Sequence, residues 1–362
     1  MSRSLAHIEE IKNIHPINGK DRIVLAEVLG WTVIVQKSDF HLGDKVIYVE
    51  IDSVLPEKPE FEFLRSKNFR IKTMKMAGCL SQGICFPLSI LPQDREYNIG
   101  DDVTDIIGIT QYEPTMDDDK GVIQKDIKPT KHYPRFLMRW KWFRQLVLPK
   151  KQAKGFPDFI SKSDETRIEN ALFYLNDKTP MVCTEKCEGQ SGSFALKKIP
   201  KKFFWQKTKY EFIVCSRNIR LWKEDSSSYW TVANKYNIKQ VLESLIGDND
   251  FVAIQGECVG TGIQKNIYHI DGYDLYVFNL IYPSGRLGSL EAKKIIEEHG
   301  MKFVPIINES YVLPDTIDEL RKYVHGNSAL YPTLREGAVI RSLDGQRSFK
   351  CVDPEYLLKH NE

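Results

Sequence analysis

One lysine of this 362-residue chain stands where an amine could act as a nucleophile. Lys186 lies among acids, glycines and serines, directly after a β-prone run, in the stretch Cys-Thr-Glu-Lys-Cys-Glu-Gly-Gln-Ser-Gly-Ser. A lysine attacks only after it loses a proton, and nearby cations or desolvation favour that loss. Gly189 and Gly192 would let a bulky ligand approach the backbone. The pattern of lysine, any residue, acid and glycine is short, so alone it fits an ordinary exposed lysine better than a catalytic one.

Five further stretches follow Lys186 in an informative order. They are Ser216–Leu221, Ile254–Gly260, Leu275–Leu280, Arg335–Arg341 and Ser348–Val352. With the lysine stretch, they resemble the ordered motifs I to V of the covalent nucleotidyltransferases, the superfamily of ATP-dependent RNA and DNA ligases and mRNA capping enzymes. Six matches in the same order make chance a poor explanation.

A β-rich part precedes these motifs. Its strand-like runs, the last of them with a break, are Arg22–Val28, Trp31–Val35, Asp44–Ile51, Phe69–Met76 and Cys79–Leu88. Short strands at close spacing predict a small barrel, and a five-stranded OB barrel fits as well as other small barrels do. Capping enzymes and most DNA ligases carry the OB module after the catalytic domain. Its position in front, together with Ser81-Gln82-Gly83, resembles the RNA ligase branch with an N-terminal OB domain.

The second half mixes strands and helices without regular βαβ alternation, which indicates an α+β domain on antiparallel sheets. Ser163 predicts the start of a helix that carries Ile168, Leu172 and Leu175 on one face. Strands are predicted at 180–184, 192–197, 210–217, 251–257, 273–280 and 337–341, and helices at 238–246 and 289–299. The expected domains are an OB-like RNA-binding domain over 1–110, a linker over 111–160 and a nucleotidyltransferase domain over 161–362.

Two basic regions could contact a nucleic acid. Arg70, Lys72 and Lys75 alternate with apolar residues, so they could face phosphates or simply form a solvated strand face. The linker has eleven Lys/Arg and one acid between residues 120 and 154. There, cations interleave with rings, and the candidate contacts are Arg139, Lys141 and Arg144. This pattern suits single-stranded nucleic acid, or equally a segment whose rings pack on a domain.

The resemblance implies roles for individual residues. Lys186 would accept AMP, and Lys350 would hold the α-phosphate. Arg217 would bind ribose or phosphate oxygens, and Glu257 would accept a hydrogen bond from a ribose hydroxyl. Phe278 would stack on adenine, although alone it would be a core residue. The remaining nucleotide contacts would be Glu185 and Glu188, and the ligands of Mg²⁺ or Mn²⁺ would be Glu188 and Glu336.

Two positions depart from the family pattern. Glu188 replaces the usual aspartate of motif I, which could exchange a direct metal contact for a water-mediated one. Motif V has one clear lysine, Lys350, with Ser348 where many relatives have another cation. Arg341 or Arg347 is a candidate substitute, although Arg347 would point to the other side of its strand.

The composition of the chain indicates the cellular compartment in which the protein works. No apolar run approaches the roughly 20 residues of a membrane-spanning helix, and the start of the chain lacks the apolar core of a signal peptide. Seven cysteines without paired C-x-x-C spacing predict free thiols in a reducing compartment. We therefore expect a protein of the cytoplasm or nucleus with no membrane contact. We also expect a monomer, although the sequence itself does not determine the oligomeric state.

The leading hypothesis is an ATP-dependent RNA ligase that seals 3′-OH and 5′-phosphate RNA ends through lysyl-AMP and AMP-capped RNA. A DNA ligase or a GTP-using capping enzyme is an alternative, since the motifs do not determine the polynucleotide. A third possibility is a nucleic-acid-binding protein on a decayed catalytic scaffold. The joint presence of Lys186, Glu257, Glu336 and Lys350 argues against decay.

Overall fold

The front part of the protein is built from short antiparallel strands. The computed structural model describes residues 4–112 and 155–360, apart from 202, 204 and 206. The strands of the front part are β1 Ala6–Glu10, β2 Asn13–Pro16, β3 Ile23–Val28, β4 Trp31–Gln36, β5 Lys45–Val49, β6 Ser53–Val54, β7 Met74–Met76, β8 Cys79–Ser81, β9 Ile84–Pro87 and β10 Thr110–Gln111. Between them lie the 3-10 segments Pro59–Lys67 and Leu88–Ile90 and the α-turn Thr104–Ile107.

These strands enclose one apolar core. β1, β5 and β9 form one sheet, and β2, β3 and β4 form another. Residues of β3 and β4 alternate between buried and half-buried, as expected for strands with one face on a core. Trp31 and Tyr48 are completely buried there. Gly83 has φ of +103°, and a Cβ at this position would lie 2.5 Å from the Tyr48 ring, so the break between β8 and β9 requires glycine.

The second part is a larger α+β unit. Its strands are β11 Thr166–Arg167, β12 Met181–Glu185, β13 Gln190–Ile199, β14 Lys209–Cys215, β15 Arg220–Leu221, β16 Phe251–Gly260, β17 Tyr273–Tyr282, β18 Gly285–Arg286, β19 Lys302–Phe303, β20 Ile306–Tyr311, β21 Gly337–Ser342 and β22 Ser348–Val352. Its α-helices are Ser228–Lys235, Ile238–Leu245, Ser289–Glu298, Ile317–Val324 and Pro354–His360. The segments Ile168–Asn170 and Leu172–Asn176 are 3-10 turns.

Two sheets organise this unit. One has the order β11-β22-β21-β12-β20, and the other contains β15-β14-β13-β16-β17-β18 with β19 beside β17. Most neighbours are antiparallel, and the pairs β11–β22 and β17–β19 are parallel. β12 belongs to the first sheet and β13 to the second, so residues 186–189 carry the chain from one sheet to the other. The candidate nucleophile Lys186 opens that crossing.

Two sequence-based predictions of secondary structure were wrong. The helix expected after Ser163 is replaced by β11 and two 3-10 turns, because Thr166 and Arg167 pair with Phe349 and Lys350 at the edge of the first sheet. The strand expected at Phe69–Met76 is ordered as a strand only at its end, β7. Phe69 has φ of 55°, which interrupts a ladder, while Phe69 and Ile71 still point into the core.

A polar network joins the front part to the second part. The side-chain amide of Asn170 donates to Glu50 (2.8 Å) and its oxygen accepts from the Trp31 indole N–H (3.2 Å). The Arg321 guanidinium donates to the backbone carbonyl of Gly30 and to Glu169. Trp31 and Glu50 are buried. Hydrogen bonds in a buried interface are short of competing water, so they fix how the two parts meet.

The prediction of free cysteines is confirmed. All seven are free thiols, and every one except the half-buried Cys79 is buried. Among the described helices, none has the length and apolar character needed to cross a bilayer. The predicted linker, with Arg139, Lys141 and Arg144, lies outside the described residues. The domain boundaries at 110 and 160 stay predictions.

Candidate active site

A large cleft lies where the two sheets of the second part face each other. It has a volume of about 1180 Å³ and is lined by residues from both sheets and from the front part. Pockets for drug-sized ligands usually have volumes of roughly 300–1,000 Å³. The cleft is therefore large enough for a nucleotide together with the end of a second molecule. All the candidate catalytic and nucleotide-binding residues from the sequence line it: Lys186, Glu185, Glu188, Arg217, Glu257, Phe278, Glu336 and Lys350.

Lys186 and Glu336 form an ion pair at the floor of the cleft. The ammonium of Lys186 donates to Glu336 Oε1, and both side chains are largely shielded, with 25% and 10% of their surfaces exposed. The backbone holds them together, since the Lys186 N–H donates to the Gly337 carbonyl (3.0 Å). Gly337 has φ of +150°, and a Cβ there would lie 2.2 Å from the Cys351 carbonyl oxygen. The start of β21 therefore requires glycine beside the reactive lysine.

Glu257 faces Lys186 from the second sheet. On β16, Gly256 and Cys258 are buried, while Glu257 between them is half-buried and lines the cleft. Its carboxylate accepts a hydrogen bond from Ser191 Oγ (3.0 Å). Burial raises the pKa of Glu257 to about 7, although Lys186 and Ser191 favour the charged form. Glu257 consequently exchanges its proton near neutral pH.

Lys350 and Arg167 supply two adjacent cations on the first sheet. Lys350 alternates with the buried Phe349 and Cys351 on β22, which directs its side chain into the cleft. Arg167 is its partner in the parallel β11–β22 pair and also lines the cleft. Burial lowers the pKa of Lys350 to about 8, with Lys186 and Arg167 adding to the effect. Three cations around one cavity attract a polyanion.

Arg217 stands at the opposite rim, just after β14. Its guanidinium donates to both carboxylate oxygens of Asp164 (2.5 and 3.3 Å). About half of each side chain is exposed, so solvent screens the pair. The pKa of Asp164 is lowered by Arg217, Lys350 and Lys186 against an opposing effect of burial. Asp164 is thus an anion that places Arg217 over the cleft.

A buried charge cluster supports the wall between Phe278 and Ser348. Arg341, at the end of β21, donates to Glu165 (3.0 Å), Ser348 Oγ (3.1 Å) and the Phe278 carbonyl (2.7 Å). It is 2% exposed, and Glu165 also pairs with Arg286 (2.8 Å). These contacts use three of the five N–H groups of Arg341, which also lines the cleft. We interpret Arg341 chiefly as a framework residue of this wall.

Arg347 is also engaged elsewhere. Its guanidinium pairs with Asp177 and donates to Thr179 Oγ1 (3.3 Å), on the far side of β22 from Lys350. This agrees with the expectation that it points away from Lys350. Arg167, which the sequence analysis did not single out, lines the cleft and pairs with Lys350 in the β11–β22 ladder, so it is a candidate for the second cation.

Three predicted nucleotide contacts differ in how much of the side chain is available. The Phe278 ring is half-buried and lines the cleft, 5.9 Å from the Arg341 guanidinium carbon. The Glu185 carboxylate is buried and accepts from Ser328 Oγ and the Ala329 N–H (2.9 Å), and burial raises its pKa. Glu188 is held through its backbone N–H, which donates to the Tyr268 hydroxyl (2.8 Å). Glu185 therefore anchors the 328–329 loop with its side chain.

The front part contributes one wall of the cleft. Arg70 and Lys72 line it with Asp52 and Tyr112. Arg70 pairs with Asp52 (2.7 Å), and its guanidinium carbon lies 3.3 Å from the centroid of the Tyr112 ring. Lys75 is exposed and donates to the Leu358 carbonyl (2.6 Å), outside the cleft lining. The structure thus brings two of the three basic residues of this stretch to the site.

The available metal ligands are dispersed. Within residues 4–112 and 155–360 as described, no three His, Cys, Asp or Glu side chains form a metal-binding group. The carboxylates that line the cleft beside Lys186 are Glu188, Glu257 and Glu336. Hard oxygen ligands suit Mg²⁺ and Mn²⁺, which usually bind one or two carboxylates together with substrate phosphates. The donor set fits such an ion shared with a bound nucleotide.

Sequence reasoning missed Asp164 and Arg167 because both lie outside the family motifs. The helix start predicted at Ser163 concealed them. Thr166–Arg167 is a two-residue strand, too short for a period-2 pattern. The usable signal was chemical: Asp164, Glu165 and Arg167 place three charges within four residues of a segment that leads into β12.

Comparisons with known proteins give consistent results. An OB-fold domain model matches residues 5–88, and an RNA ligase model matches residues 179–352. Solved structures of Naegleria gruberi RNA ligase are similar over nearly the whole length. The form with PPi is 28% identical with a TM-score of 0.73, covering 99% of each chain. A lysine-to-methionine mutant with AMP and Mn is 28% identical with a TM-score of 0.75, again covering 99% of each chain.

A further solved form of that enzyme, an arginine-to-alanine mutant with ATP and Mn, is 28% identical with a TM-score of 0.72 and covers 99% of each chain. A comparison with curated protein sequences finds no match. The facing sheets, and the lysine that crosses between them, define a covalent nucleotidyltransferase with an OB-fold domain in front. Residues 179–352 form an RNA ligase domain, and an OB-fold domain precedes it. This confirms the predicted α+β fold class and its N-terminal OB-like barrel.

Proposed function

We propose that this ATP-dependent RNA ligase joins a 3′-OH to a 5′-phosphate through a covalent AMP on Lys186. The observation that carries the proposal is the cleft that collects Lys186, Glu257, Glu336 and Lys350 from two sheets. Each is the residue type that adenylyl transfer needs at that place. The Naegleria enzyme, solved with ATP, AMP and PPi, supports ATP as the nucleotide.

The first step is an in-line displacement at the α-phosphorus of ATP. Lys186 Nζ forms a P–N bond while the P–O bond to pyrophosphate breaks. The amine must lose a proton, and the Glu336 carboxylate that accepts its hydrogen bond is placed to take it. Lys350 and Arg167 balance the charge on the phosphates. Positioning and charge stabilisation provide most of the catalysis of such a reaction.

The nucleoside is held on the second sheet. Glu257, when ionised, accepts from a ribose hydroxyl, and Arg217 donates to ribose or phosphate oxygens. Phe278 offers a ring for stacking on adenine, and the backbone near Glu185 and Glu188 closes the pocket. A Mg²⁺ or Mn²⁺ ion held by Glu336 and Glu188 would neutralise phosphate charge in the bound state. These residue roles are those that the resemblance to the family implies, and the position of each side chain in the lining of the cleft supports them.

RNA would enter along the wall that the front domain provides. Arg70 and Lys72 line the same cleft as Lys186, so they can hold phosphates beside the reacting ends. The 5′-phosphate would receive AMP from Lys186, and the 3′-OH would then displace that AMP to seal the strand. Lys75 and the linker residues Arg139, Lys141 and Arg144 remain proposed RNA contacts outside the cleft. We also propose a monomer that acts in the cytoplasm or nucleus.

A sealing assay tests the proposal. Matched nicked duplexes would differ only in the sugar on the 3′-OH side and on the 5′-phosphate side, with ATP or GTP supplied. The proposal expects ATP-dependent sealing of RNA ends and little use of GTP. Preference for an all-DNA nick would favour a DNA ligase, and GTP-dependent labelling would favour a capping enzyme. RNA binding without any adenylylation would indicate a decayed scaffold.

A further inference from the structure

The hairpin between β13 and β14 ends in a cluster of lysines and exposed rings that the catalytic site does not use. Residues 197–210 contain six lysines and no acid. At the turn, Phe203 and Trp205 are 53% and 67% exposed, and their rings stack with centroids 4.9 Å apart and planes 8° from parallel. We define the lysine-aromatic tip by its described residues Lys201, Phe203, Trp205, Lys207 and Lys209.

Two large stacked rings in water need an explanation, because single exposed apolar residues are common but paired aromatic surfaces mark contacts. Aromatic faces stack on unpaired bases of any sequence, and lysines beside them hold the phosphates. The described lysines of the tip are all exposed. Single-stranded RNA matches both features, because its phosphates would pair with the lysines and its unpaired bases would stack on the rings.

The lysines at the base of the hairpin are already engaged, which separates them from the tip. Lys197 lies over the Phe159 ring, with Nζ 4.2 Å from its centroid. Lys198 donates to the Asp248 carbonyl (3.3 Å). These contacts fasten the base of the hairpin to the domain. The tip then projects from a fixed base.

The tip is connected to the catalytic cleft by β13. Gln190 at its start lines the cleft, and Ile199 at its other end pairs with Lys209 at the tip. Ten residues of extended strand span about 30 Å at roughly 3.3 Å per residue. A strand of RNA that leaves the cleft along β13 therefore meets the tip several nucleotides from the break.

We propose that the lysine-aromatic tip binds unpaired RNA that flanks the break, as a second RNA-binding surface outside the catalytic cleft. RNA binding by the tip rests on the proposed function in one respect only, which is that the substrate of the enzyme is RNA. It explains both the paired exposed rings and the lysines around them. Duplex RNA, whose bases are stacked internally, would gain less from the rings.

Two variants of the full chain test the tip. Phe203→Ala with Trp205→Ala removes the stacking surface, and Lys201→Gln with Lys207→Gln removes charge but keeps the rings. The matched control is Lys294→Gln with Lys322→Gln, two exposed lysines on separate helices. Fluorescence anisotropy would use a single strand of about 20 nucleotides, longer than the roughly 4–16 that one binding domain covers, and a blunt duplex.

The expected results differ between the variants. Loss of both rings should weaken single-strand binding about tenfold or more. Loss of two lysines should lower the salt slope of log K by about 1.4, at roughly 0.7 per phosphate contact. Sealing of a nick beside a single-stranded tail should slow, while sealing without a tail and self-adenylylation stay unchanged. Normal self-adenylylation also shows that the variants fold.

Unchanged single-strand affinity and salt slope in both variants would overturn the proposal, as would an equal loss in the control variant. An equal loss for duplex and single strand would contradict the preference for unpaired RNA. If the wild-type chain fails to self-adenylylate, the proposed function falls. RNA binding by the tip is then still judged by the anisotropy data alone.

Discussion

At the residue scale, the site depends on environments that shift the protonation of Glu257 and Lys350 toward neutral pH. Both side chains reach the cleft from strands whose neighbours are buried. Burial disfavours the charged form of each, so it raises the pKa of the acid and lowers that of the base. In the proposed mechanism, Glu257 and Lys350 both bind ATP in their charged forms.

The pH profile of adenylylation follows from Glu257. Its pKa of about 7 is that of the free enzyme, so below pH 7 more than half of the carboxyl is protonated, and the neutral acid is a weaker hydrogen-bond acceptor than the carboxylate. We expect kcat/KM for ATP to fall as pH drops from 8 to 6. The measurement is single-turnover label transfer across this range. In Glu257→Gln the acidic limb should vanish; a limb that persists would assign it to another group.

Arg167 is predicted to be the cation that accompanies Lys350. Arg167→Ala should slow self-adenylylation about tenfold to a hundredfold, because a charged hydrogen bond to phosphate contributes about 1.5–3 kcal/mol. Arg347→Ala is the matched control, since that guanidinium pairs with Asp177 away from the cleft. Equal losses in both variants would show that charge near motif V matters and position does not.

The sequence indicated the motif residues of the cleft better than the residues that hydrogen-bond to them or lie beside them. Lys186, Glu257, Glu336 and Lys350 were found because the family motifs preserve their order. Arg167 and Asp164 were not, since a two-residue strand carries no periodic signal. The sequence also did not show that Arg341 hydrogen-bonds to Glu165 and to the Phe278 carbonyl, because these residues are far from it in the chain.

At the scale of elements, long strands were predicted well and short connections poorly. The predictions at 251–257 and 273–280 fall within β16 and β17, which are ten residues long each. The helices Ser228–Lys235 and Ile317–Val324, each about two turns long, were missed, whereas Ile238–Leu245 of the same length was predicted. The helix expected after Ser163 does not form, because Thr166 and Arg167 pair with β22 instead. This pairing is a tertiary effect that local sequence preference cannot reveal.

The network around Asn170 should contribute measurably to stability. Asn170→Ala removes hydrogen bonds to Glu50 and to the Trp31 indole, and both groups are buried. We expect a loss of about 1–3 kcal/mol in the free energy of unfolding, from leaving buried polar groups with fewer partners. Urea unfolding measures it. The control Asn13→Ala breaks an exposed contact with Glu27 and should stay within about 0.5 kcal/mol.

A loss for Asn170→Ala no larger than that of the control would contradict the claim that this network fixes how the domains meet. A selective fall in adenylylation would extend the claim. Arg167, three residues before Asn170 in the chain, has its guanidinium carbon 5.4 Å from the Trp31 ring centroid. The interface and the catalytic cations would then be coupled.

At the scale of the whole molecule, the OB-fold domain forms part of the catalytic cleft. Asp52, Arg70, Lys72 and Tyr112 line the cavity that holds Lys186. Domain order was predicted from the position of the β-rich part, but its contribution to the cleft was not. That contribution depends on how the two domains meet, which strand patterns do not encode.

Lys72 should contribute to RNA binding through its charge. Lys72→Gln is expected to weaken RNA binding several-fold and to lower the salt slope of log K by roughly 0.7, one phosphate contact. The control is Lys20→Gln, an exposed lysine of the same domain that does not line the cleft. A salt titration of RNA affinity measures both. An unchanged salt slope for Lys72→Gln would show that Lys72 does not contact an RNA phosphate.

The most direct test of the mechanism is transfer of the AMP group from ATP to Lys186. The full chain would be incubated with ATP labelled at the α-phosphate and with Mg²⁺, then digested to locate the label. We predict one acid-labile label on the peptide that contains Lys186 and none in Lys186→Ala, with release of one pyrophosphate per label. Label that persists in Lys186→Ala, or no label in the wild-type chain, would contradict the mechanism.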